Sequence, residues 1–411
     1  MHASRPLNIA MLSIHSSPLG ELGTIHTGGM SIYIRELAFE LASLGHTIDI
    51  FTCAGTNGHE PVVQLAQNVR LIHFPIPEAD LSSHRNLLPL LPHIFRILEE
   101  YTAKEKLRYD IAHSHYWLSG CLGSLIQEKW HIPHVIMFHT LGLMKNPTDP
   151  GEREARQRVS QEKKLVMQSQ KIIAPTHQEK KNLIDLYNTS SDKNNIIPGS
   201  VNLDLFQISR RQDARKAIHI DFDEPLLLFV GRFAVEKGIT LLFEAIQLLH
   251  KKMSVQLMII GGDGNHDPRK RDLVDRAVQL HIEKQVHFAG RVDHQQLSLY
   301  YNAADLVVMP SRYESFGLVC LEALACGTPV VSTNVGIMPS ILDGETNGAT
   351  ISDASPRSLA TAIENFFSNK RSPAFDSQQI RQTVVKFSWQ HVATETLLAY
   401  DELLSDDISI S

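Results

Sequence analysis

The sequence predicts two doubly wound α/β domains, one after the other along the chain. Short apolar runs alternate with amphipathic segments of helix length throughout the 411 residues, as expected for parallel strands joined by helices. The alternation starts again after the segment 196–199, which reads Ile-Ile-Pro-Gly. We therefore expect an N-terminal domain over residues 1–200, a C-terminal domain over 201–386 and a last helical segment over 387–411 that crosses back to the first domain.

The N-terminal domain is predicted to begin with a strand, a glycine-containing loop and a helix. Residues 30–44 carry apolar side chains at helical spacing, including Leu37 and Leu41, and Gly45 stands where a helix C-terminal glycine is common. Further apolar runs follow at intervals that leave room for connecting helices. The predicted strands of this domain are, in order, Asn8–Ile14, Ile48–Thr52, Val69–Phe74, Ile111–Ser114, His134–Phe138 and Lys171–Ala174.

The C-terminal domain is predicted to repeat this alternation with five apolar runs. Helical stretches are expected over Ile239–His250, Arg269–Leu280 and residues 318–326. Ligands of open parallel sheets bind beyond the carboxyl ends of the strands, so the loops after the strands and a cleft between the domains are the expected site. The predicted strands of this domain are Leu226–Val230, Val255–Ile260, Val286–Phe288, Leu306–Met309 and Val330–Thr333.

Composition excludes several classes of protein. Acidic residues exceed basic ones by 45 − 39 = 6, which argues against a general nucleic-acid binder. No apolar run reaches the roughly 18 residues of a membrane-spanning helix, and the first residues show no separate apolar segment with a cleavage site. The four cysteines lack CxxC spacing and are too sparse for a disulfide framework. We therefore expect a cytoplasmic protein with no nucleic-acid partner and no membrane span.

The first motif with chemical content is the glycine-rich segment before the first predicted helix. Residues 20–30 contain Gly28 and Gly29 directly before Met30, and glycines at a helix N-terminus let backbone N–H groups approach an anion that the helix dipole also favours. An ordinary glycine turn explains the same letters, because glycine pairs are common. Alone, this motif is weak evidence for a phosphate site.

The second motif, GRFAVEKG (231–238), follows the first predicted strand of the C-terminal domain. Arg232 and Lys237 flank a loop with glycines, and a guanidinium and an ammonium that converge on one point would stabilise a diphosphate. For an isolated pair, two solvated loop charges are the simpler interpretation. The motif therefore needs support from elsewhere in the chain.

The third motif, ESFGLVCLE (314–322), leads from a loop into a short apolar helix. Glu314 is expected in the loop and Glu322 inside the helix, where burying a carboxylate is costly unless something binds it. Carboxylates accept hydrogen bonds from paired sugar hydroxyls, and the amides of residues 316–319 open a helix that can hold phosphate. The alternative is that Glu322 forms the exposed edge of an ordinary helix.

Two weaker patterns are set aside. His113 and His115 alternate at a strand end and invite a metal hypothesis, but no further ligand stands at a recognisable spacing, so a hydrogen-bonded pair is favoured and no metal is expected. The triplet Asp-Phe-Asp at 221–223 precedes a predicted strand, which favours a turn.

Taken together and in this order, the motifs resemble the retaining glycosyltransferases of family 4. The resemblance implies the GT-B fold, with two Rossmann-like doubly wound domains facing each other across a cleft, and the spacing of Glu314 and Glu322 is that family's E-x7-E. The subgroup of closest likeness contains the D-inositol-3-phosphate glycosyltransferases and the sucrose-phosphate synthases. Other segments that fall in the expected order are HSHYWLSG (113–120), FHTLG (138–142), PGSVNLDLF (198–206) and FSW (387–389).

The resemblance implies a donor site for a nucleotide sugar, in which Arg232 and Lys237 bind the diphosphate and stabilise it as it leaves. Glu314 contacts hydroxyls of the donor sugar, Glu322 contacts the ribose hydroxyls, and His139 lies near the anomeric carbon. His139, Arg232, Lys237 and Glu314 form the implied catalytic set. The implied donor-binding residues are Gly28, Gly29, Arg232, Lys237, Arg291, Glu314, Ser315, Phe316, Gly317, Leu318, Val319 and Glu322.

The same subgroup implies an acceptor that carries a phosphate. Tyr116, Thr140 and Arg158 stand at positions that hold this phosphate, and Arg85 stands near the place of the family's usual lysine, which is absent here. The segment PGSVNLDLF also departs from the family's common PGVD pattern, because it contains Ser200 and Asn202. These departures bear on the acceptor more than on the donor.

The expected function is transfer of a hexose or N-acetylhexosamine from a nucleotide-sugar donor to a small polar, phosphorylated acceptor such as inositol phosphate. UDP is the expected nucleotide of the donor. The acceptor attacks from the face that the diphosphate leaves, so no enzymic nucleophile, metal or cofactor is implied. The resemblance to the subgroup also suggests a homodimer. The alternatives are synthesis of sucrose phosphate or a related disaccharide, a nucleotide-sugar epimerase, and a non-catalytic protein that binds nucleotide sugars.

Overall fold

The computed structural model describes residues 5–19, 28–55, 59–77, 81, 84–145, 153–250, 252–262, 268–368 and 376–408. These residues form two compact α/β units. The N-terminal unit contains the described residues within 5–19, 29–198 and 389–408, and the C-terminal unit contains Gly28 and those within 199–388. None of the helices described in these ranges is both long and apolar enough to cross a bilayer.

The N-terminal unit is built on an eight-stranded sheet with the order β3-β4-β2-β1-β5-β6-β7-β8. All neighbouring strands pair in parallel except β3, which runs antiparallel to β4 at one edge. The strands are β1 Asn8–Leu12, β2 Thr47–Gly55, β3 Val62–Ala66, β4 Val69–Ile76, β5 Ile111–His115, β6 His134–Met137, β7 Lys171–Ala174 and β8 Asn194–Ile196.

Helices cover both faces of this sheet and bury its apolar side chains. Helix α3 places Ile94 and Leu98 in one core with Phe51 and Phe74, so the apolar stretch around residues 87–98 packs inside the protein. The helices of the N-terminal unit before its last segment are α1 Gly29–Ser43, α2 His84–Leu87, α3 Leu91–Glu105, α4 Trp117–Trp130, α5 Gly142–Lys145, α6 Arg153–Gln168 and α7 His177–Tyr187.

The C-terminal unit has a six-stranded, all-parallel sheet with the order β11-β10-β9-β12-β13-β14. Its strands are β9 Leu226–Val230, β10 Gln256–Ile260, β11 Val286–Gly290, β12 Leu306–Met309, β13 Val330–Thr333 and β14 Gly348–Ile351. Its helices are α8 Arg211–Ala217, α9 Ile239–Leu249, α10 Pro268–Gln279, α11 Leu297–Ala303, α12 Leu318–Ala325, α13 Met338–Ile341, α14 Pro356–Ser368 and α15 Ser377–Gln382.

The last helix, α16 Trp389–Ile408, belongs to the N-terminal unit. Val392, Ala399 and Tyr400 are fully buried in the core that also contains side chains of α1 and of the strands. Trp389 contacts Tyr33 of α1 edge to face, with ring centroids 5.4 Å apart. The end of the chain therefore completes the core of the unit in which the chain begins.

The predicted α/β class is confirmed, and the strands with continuous apolar runs lie where the sequence places them to within three residues. The sequence missed β3, β8 and β14. Each is short and lies at or next to a sheet edge, and Asn194–Ile196 and Gly348–Ile351 contain few of the large apolar residues that mark a buried strand.

Candidate functional site

In the C-terminal unit, the loop after β9 holds both predicted cations. Arg232 follows the strand, and Lys237 ends a 3₁₀ turn over Val235–Lys237. Gly238 continues the loop with φ of +72°, and a Cβ there would lie 2.0 Å from the carbonyl oxygen of Pro310, which follows β12. Only glycine permits this approach, so the loop after β9 is fixed against the end of the neighbouring strand.

Lys237 and Glu314 are in direct contact across these two loops. The Lys237 Nζ atom lies 2.7 Å from Oε1 of Glu314, which also accepts a hydrogen bond of 2.8 Å from the Ser311 hydroxyl. Oε2 of Glu314 has no partner within the described ranges. Arg232 lies 3.6 Å from the Glu236 carboxylate and is about one third exposed. The group therefore offers two cations for a diphosphate and one carboxylate oxygen for a hydroxyl.

Helix α12 begins beside this ion pair. Its N-terminal residue is preceded by Gly317, which has φ of +111° and lies so close to Met338 that a Cβ would come within 2.7 Å of the sulfur. The first amides of a helix have no partner inside it, so those of the stretch 316–319 are available to an anion. The predicted phosphate-binding amides thus lie next to Glu314 in the chain and in the fold.

Glu322 is buried in α12, with 4% of its surface exposed, so the exposed-edge alternative is wrong. Its Oε1 accepts from Nε2 of His294 and its Oε2 from the Tyr301 hydroxyl, both at 2.7 Å. Burial, and then the neighbouring Glu322 carboxylate, raise the pKa of Tyr301 well above its ordinary value. Sequence reasoning missed His294 and Tyr301, since neither belongs to a motif.

In the N-terminal unit, His113 and His115 lie in β5 and His139 follows β6. The His115 Nδ1 atom lies 2.9 Å from Nε2 of His139, and His113 Nδ1 lies 2.7 Å from the hydroxyl of Tyr400 in α16. Burial lowers the pKa of both His113 and His139 to about 3 and that of His115 well below its ordinary value. All three rings are therefore neutral at neutral pH, and each acts as one donor and one acceptor.

Three of the predicted acceptor residues form one cluster. Nη2 of Arg158 donates to the Thr140 hydroxyl at 2.9 Å and also to the Thr140 carbonyl. The guanidinium carbon lies 4.8 Å from the centre of the Tyr116 ring. Arg158 is only 6% exposed although it carries a full charge. Tyr116 follows β5, Thr140 follows β6 and Arg158 lies in α6, so the fold joins positions that the sequence only suggested separately.

The carboxylate that balances Arg158 is Glu162, one helical turn further along α6. Its Oε1 accepts from Nε of Arg158 at 2.6 Å, and its oxygens also accept from the Gly142 amide and the Tyr187 hydroxyl. Sequence reasoning missed Glu162 and Tyr187. The i,i+4 spacing of Arg158 and Glu162 was the one available signal, and it is common on exposed helices.

For the remaining predicted site residues the structure gives the position in the fold but few contacts. Helix α1 begins at Gly29, and a Cβ on Gly28 would meet no described atom within 4 Å. Arg291 is exposed and follows β11. Arg85 lies in the short helix His84–Leu87, but its side chain and the glycine-rich loop over residues 20–27 lie outside the described part of the chain. Nor do the described residues include a group of three histidine, cysteine or carboxylate side chains arranged to hold a metal ion.

Two α/β units with largely parallel sheets that carry polar side chains at their carboxyl ends fit the architecture of the GT-B glycosyltransferases. Comparison with known proteins agrees with this class. Residues 27–205 match the family described as Glycosyltransferase Family 4, and residues 210–382 match the family described as Glycosyl transferases group 1.

The similar proteins include curated glycosyltransferases that the chain matches over most of their length. The chain is 33% identical over 410 residues to the D-inositol 3-phosphate glycosyltransferase of Xylanimonas cellulosilytica, covering 97% of this chain and 98% of the relative. It is 34% identical over 406 residues to that of Mycolicibacterium smegmatis, covering 98% and 92%. The chain therefore belongs to glycosyltransferase family 4, and it is an enzyme of that class.

Solved structures show the same fold. The sucrose-phosphate synthase of Thermosynechococcus elongatus aligns with a TM-score of 0.86 at 29% identity, covering 97% of this chain and all of that one. HepE of Anabaena, solved in complex with UDP and glucose, aligns with a TM-score of 0.73 at 17% identity over 97% of this chain and 100% of its own. The second likeness concerns the fold alone.

Proposed function

We propose that this glycosyltransferase moves a hexose or N-acetylhexosamine from a UDP-sugar to a small phosphorylated acceptor such as inositol phosphate, with retention of configuration and release of UDP. The observation that carries the acceptor half is the cluster of Tyr116, Thr140 and Arg158, in which a buried guanidinium and a hydroxyl lie together at the carboxyl edge of the sheet. The curated relatives are named for an inositol phosphate acceptor, which supports the same assignment.

On the donor side, Arg232 and Lys237 bind the diphosphate and Glu314 binds a hydroxyl of the sugar. As the bond from the sugar to the diphosphate breaks, negative charge grows on the phosphate oxygens, and cations fixed beforehand stabilise that charge more than the ground state. Lys237 is already held by Glu314 at 2.7 Å, so it is oriented before substrate binds. Glu322, fixed by its two protein donors, accepts from the ribose hydroxyls.

His139 acts as a hydrogen-bonding group and not as a titrating acid or base. Its pKa, lowered by burial to about 3, keeps the ring neutral over the physiological range. The ring contacts His115 through Nε2, which leaves Nδ1 and the backbone for the donor sugar. The acceptor hydroxyl then attacks the anomeric carbon from the face that the diphosphate leaves and passes its proton to the departing diphosphate, so the proposed step uses neither a protein nucleophile nor a metal ion.

The test combines nucleotide binding with transfer assays. We expect UDP to raise the thermal unfolding midpoint more than GDP or ADP do, with and without EDTA. Lys237→Ala and Glu314→Ala should lower transfer by about 10²–10³-fold with little change in that midpoint, because each removes a group aimed at the reacting bonds. Lys252→Ala is the matched control, since Lys252 pairs with Glu364 on an exposed surface of the same unit. Full transfer by Lys237→Ala would contradict the donor assignment.

A second candidate is synthesis of sucrose phosphate or a related disaccharide. It is favoured by the likeness to the sucrose-phosphate synthase, which extends over 97% of this chain at 29% identity. Both candidates use a phosphorylated acceptor, so the Arg158 cluster suits either. Parallel assays with inositol 3-phosphate and fructose 6-phosphate, each against its unphosphorylated form, separate them.

A further inference from the structure

The Arg158 guanidinium is held by protein groups on two edges and one face. Nε donates to Glu162, and Nη2 donates to the hydroxyl and carbonyl oxygens of Thr140. The Tyr116 ring covers one face at 4.8 Å from the guanidinium carbon. Among the described residues none accepts a hydrogen bond from Nη1. A side chain that is only 6% exposed therefore keeps two N–H groups that no described residue uses.

Glu162 is itself immobilised by three other contacts. The Gly142 amide donates to both of its oxygens, at 3.1 and 2.9 Å, and the Tyr187 hydroxyl donates to Oε2. The carboxylate has no exposed surface, and a Cβ on Gly142 would lie 3.0 Å from Oε2. Glu162 therefore cannot rotate without giving up several bonds, and the edge of Arg158 that it takes is fixed by the loop after β6.

We propose that Glu162 is a positioning residue for acceptor recognition: by holding the Nε edge of Arg158 against the loop at Gly142, it directs Nη1 and the Thr140 hydroxyl toward one phosphate group of the acceptor. Thr140 accepts a bond from Nη2, so its own hydroxyl proton remains to be donated. Together these groups supply three N–H or O–H donors from neighbouring atoms. This inference rests on the proposed function and adds to it the residue that orients the phosphate-binding group.

The charge balance of the cluster agrees with this role. Burial alone would lower the pKa of Arg158, but Tyr116 and Glu162 outweigh burial and raise that pKa. Arg158 and Glu162 together are formally neutral, so the phosphate is recognised by directed hydrogen bonds more than by net charge. A carboxylate placed elsewhere would neutralise the cation equally well but would not select which nitrogen faces the ligand.

The experiment compares acceptor binding by four full-length variants in the presence of UDP. Titration calorimetry measures the affinity for inositol 3-phosphate and for fructose 6-phosphate, and compares each with the affinity for the unphosphorylated sugar or inositol. Glu162→Gln keeps the shape of the side chain but replaces one acceptor oxygen with an NH2 group, which faces a donor. Glu162→Asp keeps the negative charge on a shorter side chain. Asp49→Asn is the matched control, because Asp49 forms a similar pair with Arg70 in the same unit. Arg158→Lys reports on the phosphate-binding group itself.

We expect Glu162→Gln to weaken binding of the phosphorylated acceptor about tenfold and to leave the unphosphorylated form unchanged, with Glu162→Asp closer to wild type. UDP affinity should stay constant in every variant, which also shows that the variants are folded. An equal loss for both forms of acceptor, or no loss at all, would overturn the positioning role. Failure of Arg158→Lys to weaken phosphate binding would instead overturn the proposed acceptor site.

Discussion

Two clusters, each made of an arginine, a carboxylate and a tyrosine, lie at opposite edges of the N-terminal sheet. At the amino ends of the strands, Arg70 donates from Nε and Nη2 to both oxygens of Asp49 at 2.7 and 2.6 Å, and Tyr109 donates to the same carboxylate. At the carboxyl ends, Arg158 gives only Nε to Glu162 and turns Nη2 to Thr140.

Exposure separates the two arginines further. The Arg70 side chain is 28% exposed, so water satisfies whatever its carboxylate leaves open, whereas the Arg158 side chain is 7% exposed. A buried guanidinium with unused N–H groups is costly unless a ligand completes it. The comparison teaches that arginine, carboxylate and tyrosine in contact do not identify a site. The proposed acceptor cluster differs from the Asp49 cluster in how its arginine divides its donors and in the edge of the sheet on which it lies.

The largest expected effect tests the difference in burial. Glu162→Ala leaves Arg158 buried without its carboxylate and should lower the free energy of unfolding by about 3–5 kcal/mol. Asp49→Ala should lower it by less, roughly 1–3 kcal/mol, because Arg70 is partly exposed and can be hydrated. Urea unfolding of both variants measures the pair of values. Equal losses would show that the two clusters do not differ in the way their burial indicates.

The next effect concerns acid. Burial lowers the pKa of His113 to about 3, whereas the unfolded chain has the ordinary value near 6.5. Below pH 6.5 the unfolded chain binds a proton that the folded chain does not, so stability falls as pH falls from about 6.5 toward 3. Each such histidine contributes about 1.4 kcal/mol per pH unit.

Replacing this histidine sharpens the comparison of the two edges. His113→Gln should reduce the slope of unfolding free energy against pH, between pH 6 and 4, by about one proton. Tyr109→Phe, at the amino edge, should leave that slope unchanged. Denaturant titrations at a series of pH values give the slopes. An unaltered slope in His113→Gln would mean that this ring takes up its proton in the folded state.

The smallest effect separates the two tyrosines. Tyr187→Phe removes one donor from Glu162 and should raise the KM for the phosphorylated acceptor a few-fold without changing the KM for the nucleotide sugar. Tyr109→Phe removes the equivalent donor from Asp49 and should change neither. Initial-rate measurements at varied acceptor concentration report both constants. If Tyr109→Phe raised the KM for the phosphorylated acceptor as much as Tyr187→Phe does, the cause would be a general loss of order in the sheet and not the bond to Glu162.

The alternation of apolar runs and helix-length segments along the sequence predicted the class of fold. Continuous apolar strands such as Leu226–Val230 and Leu306–Met309 are buried whatever surrounds them, so they are recognisable in the sequence. The short edge strands were not predicted from the sequence, because pairing with a neighbouring strand, and not their own side chains, makes them strands. Val62–Ala66, half exposed and antiparallel, is the clearest case.

The site was predictable only where residues belong to motifs. Lys237 and Glu314, 77 positions apart, were each named from a local pattern, and their contact at 2.7 Å is a property of the fold. His294 and Tyr301, which donate to Glu322, have no local pattern. Neither do Glu162, which accepts from Arg158, and Tyr187, which donates to Glu162. Positioning residues act through three-dimensional contacts, so their sequence signal is weak even where the group that they orient is conspicuous.

The most direct measurement is the ratio of kcat/KM for the phosphorylated acceptor to that for its unphosphorylated form, in the wild type, Arg158→Lys and Arg70→Lys. Lysine keeps the charge but loses the planar set of donors. The wild-type ratio should be at least about 100, in keeping with roughly 1.5–3 kcal/mol for each charged hydrogen bond. Arg158→Lys should lower the ratio at least tenfold, and Arg70→Lys should preserve it. A wild-type ratio near one, or an equal fall in both variants, would contradict recognition of the acceptor phosphate at the carboxyl edge of this sheet.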